Sequence, residues 1–299
     1  MSAHGIADAS VSPTGAAASE ANELEAQPVA PSLPKLAFGA RLRRLLPPFV
    51  VFCLFIAFWY AFRYYALAPR RRFLVPAPHS VVSVAYGNAT NRGYLLDALW
   101  LSSRVALIGL AIAILIGTVL AVLMSQARWV EASTYPYAVA LQTVPILALT
   151  PLIGFWFGFN FKARVIVCVI IALFPIIANT LFGLKSVDRG HHDLFTLHGA
   201  SRWTRLFKLQ FPAALPAIFT GLRISAGLSV IGAIVGDFFF RQGQAGLGVL
   251  ISNYQLRLQS EQMYGAMILA MLLGLVVFWV FGLISSRVVG SWHDSTNGS

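Results

Sequence analysis

Six apolar runs, each at least twenty residues long, constrain this chain more than any other feature of its sequence. At the 1.5 Å rise per residue of an α-helix, about 20 residues cross the roughly 30 Å hydrocarbon core of a bilayer. Each run is therefore long enough to form one membrane-spanning helix. The runs cover residues 45–67, 105–124, 135–161, 165–184, 213–240 and 264–284. The sequence predicts an all-α membrane protein with six transmembrane helices.

Composition excludes the soluble and fibrous classes for most of the chain. Hydrophobic residues make up 58% and charged residues 11% of the 299 residues, whereas a soluble domain carries about 25% charge. The 22 Lys and Arg against 11 Asp and Glu give a net charge of +11. In a membrane protein this excess predicts contact with anionic lipid headgroups. No basic stripe interleaved with aromatic residues indicates a nucleic-acid partner.

The two ends of the chain differ from this apolar middle. Residues 1–34 hold four acids and no Lys, Arg or aromatic residue, so they cannot bury enough apolar area to offset the entropy of ordering. We expect a disordered tail over residues 1–40 and a transmembrane domain over 41–290, with its core at about 95–288. A short second tail covers 291–299.

Three prolines inside apolar runs predict irregular helices. Pro145, Pro151 and Pro175 lack a backbone N–H donor, so each is expected to kink or break its helix. The carbonyl groups freed in this way need protein or water partners within a membrane. The prolines therefore indicate helices that face other helices or a cavity. Simple packing kinks, which are common in membrane helices, are the alternative.

The segment at 185–212, between the fourth and fifth runs, is longer than a connector needs to be. Leu194 and Leu197 lie three residues apart, on one face of a short helix. Gly199 follows them and permits a sharp change of direction. The pattern predicts a helix–Gly–helix elbow outside the membrane.

A second short helix is expected after this glycine. Ser201 can cap its free amide groups. Trp203, Leu206 and Phe207 give the helix an apolar face. Large apolar groups beside a polar rim are typical of a partner surface, and an amphipathic helix lying on lipid is the alternative.

This segment resembles the cytoplasmic loop of binding-protein-dependent ABC importer permeases, whose pattern is EAA, three residues, Gly, nine residues and Ile-x-Leu-Pro. Gly199 holds the Gly position, and Leu-Gln-Phe-Pro at 209–212 holds the last. The EAA position is held by Asp193, Leu194 and Phe195. Asp193 keeps the acidic character of the first residue, and two large residues replace the two alanines. Other stretches resemble the nitrate, sulfonate and taurine branch of this family, at 99–105, 151–158, 174–180, 212–223 and 246–248.

The resemblance implies a MetI-like type I ABC importer permease in the bacterial inner (plasma) membrane. Such a subunit pairs with a second permease copy or paralogue, an ABC ATPase dimer and an extracytoplasmic solute-binding protein. The resemblance also implies that the loop at 185–212 docks in a cleft of the ATPase, which puts the loop and both termini in the cytoplasm. The coupling residues would be Asp193, Leu194, Phe195, Gly199, Ala200, Trp203, Phe207 and Pro212.

The sequence contains no Walker A motif, G-x-x-x-x-G-K-[ST], to hold the phosphates of ATP. We therefore expect no cofactor in this chain, with ATP and Mg bound by the partner ATPase. Serines have no plausible His and acid partners nearby, so no catalytic residue is expected. His191, His192 and His198 with Asp193 are a weak metal candidate that no Cys or paired carboxylate supports.

Three charged residues lie within or at the ends of apolar runs, where charge is costly and indicates a functional site. Arg104, Arg223 and Asp237 are therefore candidates for the substrate pathway. Structural ion pairs, caps or snorkelling side chains are the alternative. A guanidinium suits an anion bidentately, and the resembling branch imports nitrate, sulfonates and taurine. A small anion is the favoured solute, and a vitamin precursor is the alternative.

An ion-coupled secondary carrier is the other class that fits six membrane helices. Such carriers often show two similar halves and buried coupling acids. This sequence shows no convincing repeat, and Asp237 is the one acid within a core span. These observations favour the ATP-driven importer.

Overall fold

The computed structural model describes the backbone of residues 38–289 and the side chains of residues 46–288. The regular elements in that part of the chain are all helical, and it contains no β-strand. The described residues divide into two units, one that ends at Phe55 and one that begins at Ile56. The described part of the first unit is the start of one helix, whose side chains from 46 to 55 are almost all apolar and exposed.

The helices are numbered in chain order. They are α1 (Phe38–Ala61), α2 (Pro78–Val81), α3 (Ala89–Gln126), α4 (Arg128–Thr143), α5 (Ile146–Phe157), α6 (Phe161–Lys185), α7 (Arg189–Leu197), α8 (Arg202–Arg205), α9 (Phe211–Phe239), α10 (Leu247–Leu256) and α11 (Ser260–Val289). Turns of π-helix follow α1, α2 and α8, at Phe62–Ala66, Val82–Gly87 and Leu206–Gln210. A 3₁₀ turn covers Pro69–Arg71.

Five of the described helical segments are long and apolar enough to cross a membrane. They are Leu46–Ala66, Ala89–Gln126, Phe161–Lys185, Arg202–Phe239 and Ser260–Val288. The helices α4 and α5 pass the same test together, with a bend of 102° between them. The prediction of an all-α membrane fold is confirmed, and the bent pair supplies the sixth span.

Contacts at the two ends of the bundle show that the bent pair crosses it once. At the end where α7 and α8 lie, called the elbow end, Lys185 forms a 2.6 Å ion pair with Glu131 at the start of α4. At the opposite end, called the loop end and formed by residues 240–248, the ring of Phe159 just after α5 lies 6.1 Å from that of Phe240. Hence α4 begins at the elbow end and α5 leads to the loop end.

The third apolar run was predicted as one span over 135–161, and the structure differs. The helix begins earlier, at Arg128, and stops at Thr143. Pro145 then occupies the N-cap position of α5. A proline disfavours helical geometry in the residue before it, so the break falls where the sequence places Pro145.

The other two prolines do not break their helices. Pro151 lies inside α5 and Pro175 inside α6. Pro151 cannot donate to the carbonyl of Leu147, but the hydroxyl of Thr150 donates to that oxygen at 2.8 Å. A neighbouring side chain thus replaces the missing backbone donor, and the helix continues.

Two other boundaries also differ from expectation. The helix of the second apolar run, α3, begins at Ala89, sixteen residues before that run. Its start is capped by Asn88, whose Oδ1 accepts a hydrogen bond from the N–H of Thr90 at 2.9 Å. The first helix begins at Phe38, inside the predicted tail. The rest of that tail, and the tail at 291–299, lie outside the described residues.

The core of the second unit lies where α3, α6 and α9 meet. Gly109 of α3 and Gly232 of α9 both face Cys168 of α6, and a Cβ at either glycine would collide with it. The hydroxyl of Ser225 donates to the carbonyl of Ala172 at 2.7 Å. Small residues and serines at helix contacts are typical of membrane bundles, because they let the backbones approach closely.

Candidate functional site

The elbow between α7 and α8 turns at Gly199, as the sequence predicts. Its φ is +66°, a left-handed conformation that side chains with a Cβ resist. The N–H of Gly199 donates to the carbonyl of Thr196, and the N–H of Ala200 donates to that of Phe195, both at 3.0 Å. This pair of bonds is a Schellman motif, which satisfies the last carbonyls of α7 and ends the helix.

The second arm of the elbow also begins as predicted. The hydroxyl oxygen of Ser201 accepts a hydrogen bond from the N–H of Thr204 at 3.1 Å. Leu206 is buried against Leu184 and Ala214, which anchors the elbow to the bundle. Of the three residues predicted to form the apolar face of this arm, Trp203 and Phe207 therefore remain exposed, and Leu206 does not.

Four large apolar side chains of the elbow are exposed: Leu194, Leu197, Trp203 and Phe207. Leu197 is 85% exposed and Trp203 65% exposed. The rings of Trp203 and Phe207 stack with centroids 6.2 Å apart. Within the described structure nothing covers this surface, which we call the elbow patch, and such a patch marks an interaction site.

The remaining predicted coupling residues lie around the elbow patch. Asp193 and Pro212 are exposed, while Phe195 and Ala200 are half-buried. His198 uses its Nδ1 locally, 2.9 Å from the carbonyl oxygen of Leu194. The described residues contain no group of three metal-ligating side chains.

The loop end is organised by a charged residue that the sequence analysis did not single out. Arg164 of α6 is only 1% exposed. Its Nη1 lies 3.1 Å from Oδ1 of Asp237. The guanidinium also donates to three carbonyl oxygens of the loop, those of Phe240 (2.8 Å), Gln242 (3.3 Å) and Gln244 (3.1 Å). The loop is therefore held by the side chain of one arginine.

Asp237 completes this network from α9 and is 0% exposed. Its Oδ2 accepts hydrogen bonds from the hydroxyl of Ser102 at 2.8 Å and from the N–H of Gly248 at 3.3 Å. Ser102 in turn accepts from the N–H of Leu247 at 2.9 Å. A Cβ at Gly246 would collide with the carboxylate. This geometry favours the ion-pair interpretation of Asp237 over contact with substrate.

A tyrosine near the loop end makes a further contact between distant segments. The hydroxyl of Tyr86 donates to the carbonyl of Gly265 at the start of α11, at 2.8 Å. Burial raises the pKa of Tyr86 above its ordinary value. Burial thus favours the protonated phenol, the form that donates this hydrogen bond.

The two arginine candidates for the pathway each lie against an aromatic ring. The guanidinium of Arg104 is 5.7 Å from the ring centroid of Phe161, and that of Arg223 is 4.0 Å from the centroid of Phe278. Both arginines are exposed. Among the described side chains neither forms an ion pair with a carboxylate.

The importance of Arg164 had a weak signal in the sequence. Arg164 directly precedes the apolar run at 165–184, where a flanking charge is common. Asp237 lies near the end of the run at 213–240. What the sequence does not show is that α6 and α9 are neighbours, and this contact creates the pair.

The fold and the elbow define a class: a polytopic membrane permease with a short helical elbow at one end and no nucleotide-binding motif. Residues 109–290 match the family model described as binding-protein-dependent transport system inner membrane component. The chain belongs to this family.

Relatives in the family are named for different solutes. The chain is 37% identical, over 57% of its length and 68% of the relative's, to the formylaminopyrimidine transport permease protein ThiX of Halalkalibacterium halodurans. It is 33% identical, over 67% of its length and 75% of the relative's, to SsuC of Escherichia coli strain K12, which is named for aliphatic sulfonates transport.

The fold is similar to that of solved importers. An inward-facing MetNI methionine ABC transporter structure matches with a TM-score of 0.59 and 17% identity, covering 67% of this chain and 99% of that one. At this identity the match shows the fold alone. The expected MetI-like permease fold is confirmed.

Family membership settles the general role. The chain is the permease subunit of an ABC importer, a multi-pass inner-membrane protein and not an enzyme. In such systems ATP is hydrolysed on a separate chain, and a binding protein is a further partner. Of the two classes considered, the ABC importer permease is confirmed, and the ion-coupled secondary carrier is not.

Proposed function

We propose that this chain lines the translocation pathway of its importer and that the elbow patch is where the ATPase docks. The observation that carries this proposal is the exposure of Leu197, Trp203 and Phe207 on a rigid turn. Aromatic anchors of this kind dominate the binding energy of many interfaces. The Schellman turn at Gly199 fixes the angle at which a partner meets them.

This assignment orients the chain. The elbow end lies in the cytoplasm with both termini, and the loop end faces the exterior, where the solute-binding protein docks. ATP and Mg are bound by the ATPase dimer, and no cofactor is held by this chain. A second copy or a paralogue of the permease completes the pathway.

The departures from the family's loop pattern are compatible with docking through other side chains. Asp193 keeps an exposed acid in the first position, while Leu194 and Phe195 replace two small residues. Leu194 is exposed and adds apolar surface to the patch. We propose that the ATPase cleft for this chain is correspondingly wider and more apolar.

The expectation of an anionic solute rested on the resemblance to the nitrate, sulfonate and taurine branch and on Arg104 and Arg223, and it remains a prediction. The relatives' names support either a small anion or a vitamin precursor. Arg223 stacks on Phe278 and Arg104 on Phe161, contacts that leave their charge free for a passing anion or a lipid phosphate. Arg223→Gln should slow uptake of an anion and leave uptake of an uncharged solute unchanged.

A cross-linking experiment tests the docking site. In a Cys53→Ser background, Leu197→Cys should cross-link to the ATPase subunit of the intact transporter. Tyr65→Cys is the matched control, because Tyr65 is 90% exposed but lies after α1 at the opposite end. Equal cross-linking from both positions, or none from Leu197→Cys in a complex that hydrolyses ATP, would refute the assignment.

A further inference from the structure

The break between α4 and α5 leaves polar backbone groups in the middle of an apolar span. The N–H of Val144 and the hydroxyl of Thr143 both donate to the carbonyl of Ala140, at 3.1 and 2.9 Å. Pro145 has no N–H to offer the carbonyl of Leu141. The helix thus ends with carbonyl groups that a continuous helix would have satisfied.

A groove of about 420 Å³ opens beside this break. It is lined by Leu141, Gln142, Val144, Ile146, Ile170, Ile171, Phe174, Pro175 and Leu228. Pro175 is 14 residues from the start of α6 and 10 from its end, which places it roughly 15–20 Å from either end. The groove therefore lies near the middle of the bundle, between the elbow end and the loop end.

A second proline adds to the polarity of the same groove. Pro175 cannot donate to the carbonyl of Ile171, and both residues line the groove. Gln142 is the one polar side chain in the lining, and no lining residue is charged. Leu141 and Ile171, whose carbonyl groups lose a backbone donor, line the groove together with Gln142. The lining therefore combines hydrogen-bonding groups with the absence of a fixed positive charge.

We propose that this groove carries the transported solute through the middle of the membrane, that Gln142 contacts it, and that the solute is uncharged and carries hydrogen-bond donors. This inference rests on the proposed role of the chain in the pathway. Non-helical backbone at membrane depth is tolerated where it lines a polar cavity. Free carbonyl groups beside a groove favour hydrogen-bond donors and disfavour anions, because their oxygens carry partial negative charge.

The candidate cations lie elsewhere. Neither Arg104 nor Arg223 lines the groove, and each is stacked on an aromatic ring. An anion held here would face Phe174 and isoleucines with no counter-charge, which is unfavourable at membrane depth. A planar, uncharged solute could instead stack on Phe174 and hydrogen-bond to Gln142.

Cysteine accessibility in the assembled transporter tests the groove without knowledge of the solute. In the Cys53→Ser background, Gln142→Cys and Ile171→Cys are each treated with membrane-impermeant thiosulfonate reagents, one anionic and one cationic. Leu115→Cys on α3 is the control, because Leu115 is 67% exposed but is not part of the lining of this groove. Both groove positions should react at least about tenfold faster than the control, because they meet water.

The charge preference tests the solute class. At Gln142→Cys we measure the ratio of the reaction rates of the anionic and cationic reagents. This ratio should differ by less than about threefold from the same ratio for a free thiol in solution. A groove with a fixed positive field would favour the anionic reagent by about tenfold or more, which would overturn the uncharged assignment. If neither groove position reacts faster than Leu115→Cys, the groove faces lipid and the inference fails. Cross-linking of Leu197→Cys to the ATPase would then still report on the proposed function independently.

Discussion

The loop end and the elbow end of the bundle differ in the burial of their most unusual side chains. At the loop end two charges, Arg164 and Asp237, are buried and meet partners within the chain. At the elbow end two large apolar residues, Leu197 and Trp203, are exposed, and no described element covers them. The loop end is therefore held together by this chain itself, while the elbow end, on the proposed assignment, is covered by the ATPase.

This difference agrees with the roles that we propose for the two ends. A buried ion pair adds little net stability, but removing one partner leaves an uncompensated charge. Such a pair suits an end that must keep one shape while a binding protein docks. Exposed aromatic groups contribute energy only when a partner covers them. They suit an end that must respond to an ATPase.

The largest expected effect comes from removing Arg164. Arg164→Leu leaves Asp237 buried without its counter-charge and frees the carbonyls of the loop at 240–244. We expect a loss of about 3–5 kcal/mol in stability, seen as a lower thermal transition of the detergent-purified protein and as little mature protein in the membrane.

The double variant Arg164→Leu/Asp237→Leu is the control for this prediction. It removes both charges, so it should be more stable than Arg164→Leu alone, because no buried carboxylate is left unpaired. A double variant that is less stable than the single one would show that the loop contacts, and not the pair, carry the effect.

The next effect concerns affinity at the elbow end. Trp203→Ala should cost about 2 kcal/mol of binding, or roughly 30-fold in the Kd for the ATPase. The folded permease should keep its thermal transition, because Trp203 is 65% exposed. Trp129→Ala, which removes an exposed tryptophan at the start of α4, is the matched control and should change the Kd by less than about twofold. Equal losses from both variants would argue against a specific patch.

A smaller energetic effect is expected at the turn. Gly199→Val puts a branched side chain at a φ of +66°, which costs about 1–2 kcal/mol in a left-handed conformation. No atom outside the turn would touch the new Cβ, so the cost comes from the backbone alone. The elbow should change its angle, and ATP hydrolysis stimulated by the loaded binding protein should fall. Gly190→Val within α7 is the control and should leave the stimulation within about twofold of that of the unchanged chain. If Gly199→Val also shows normal stimulation, the turn is not part of the coupling mechanism.

The smallest effect is expected from the N-terminal tail. A chain beginning at Pro34 loses an acidic, polar segment that bears no predicted contact. Membrane insertion, copurification with the ATPase and uptake should match the full chain. Failure of the truncated chain to assemble would mean that the first 33 residues belong to an interface.

The sequence predicted the membrane spans and the elbow because both depend on local signals. Long apolar runs specify membrane helices, and Gly199 with Ser201 specifies a helix end followed by a helix start. The apolar run did not predict the start of α3 at Ala89, because the first residues of this helix are partly polar. The helix begins there with Asn88 as its cap.

Features that depend on packing between distant helices were not predictable in this way. Asp237 stands 73 residues after Arg164 in the chain, and their pairing requires α6 to lie beside α9. The effect of each proline also depended on its neighbours. Thr150 supports the helix at Pro151, whereas α4 stops before Pro145.

Amide hydrogen exchange of the permease, with and without its ATPase, tests the contrast between the two ends most directly. We predict that the ATPase slows exchange in the peptides covering 189–211 at the elbow end. Peptides covering 240–250 at the loop end should be slow in both states, because Arg164 and Asp237 already hold them. Unchanged exchange at 189–211 in a stable complex, or protection that appears only at 240–250, would contradict the account.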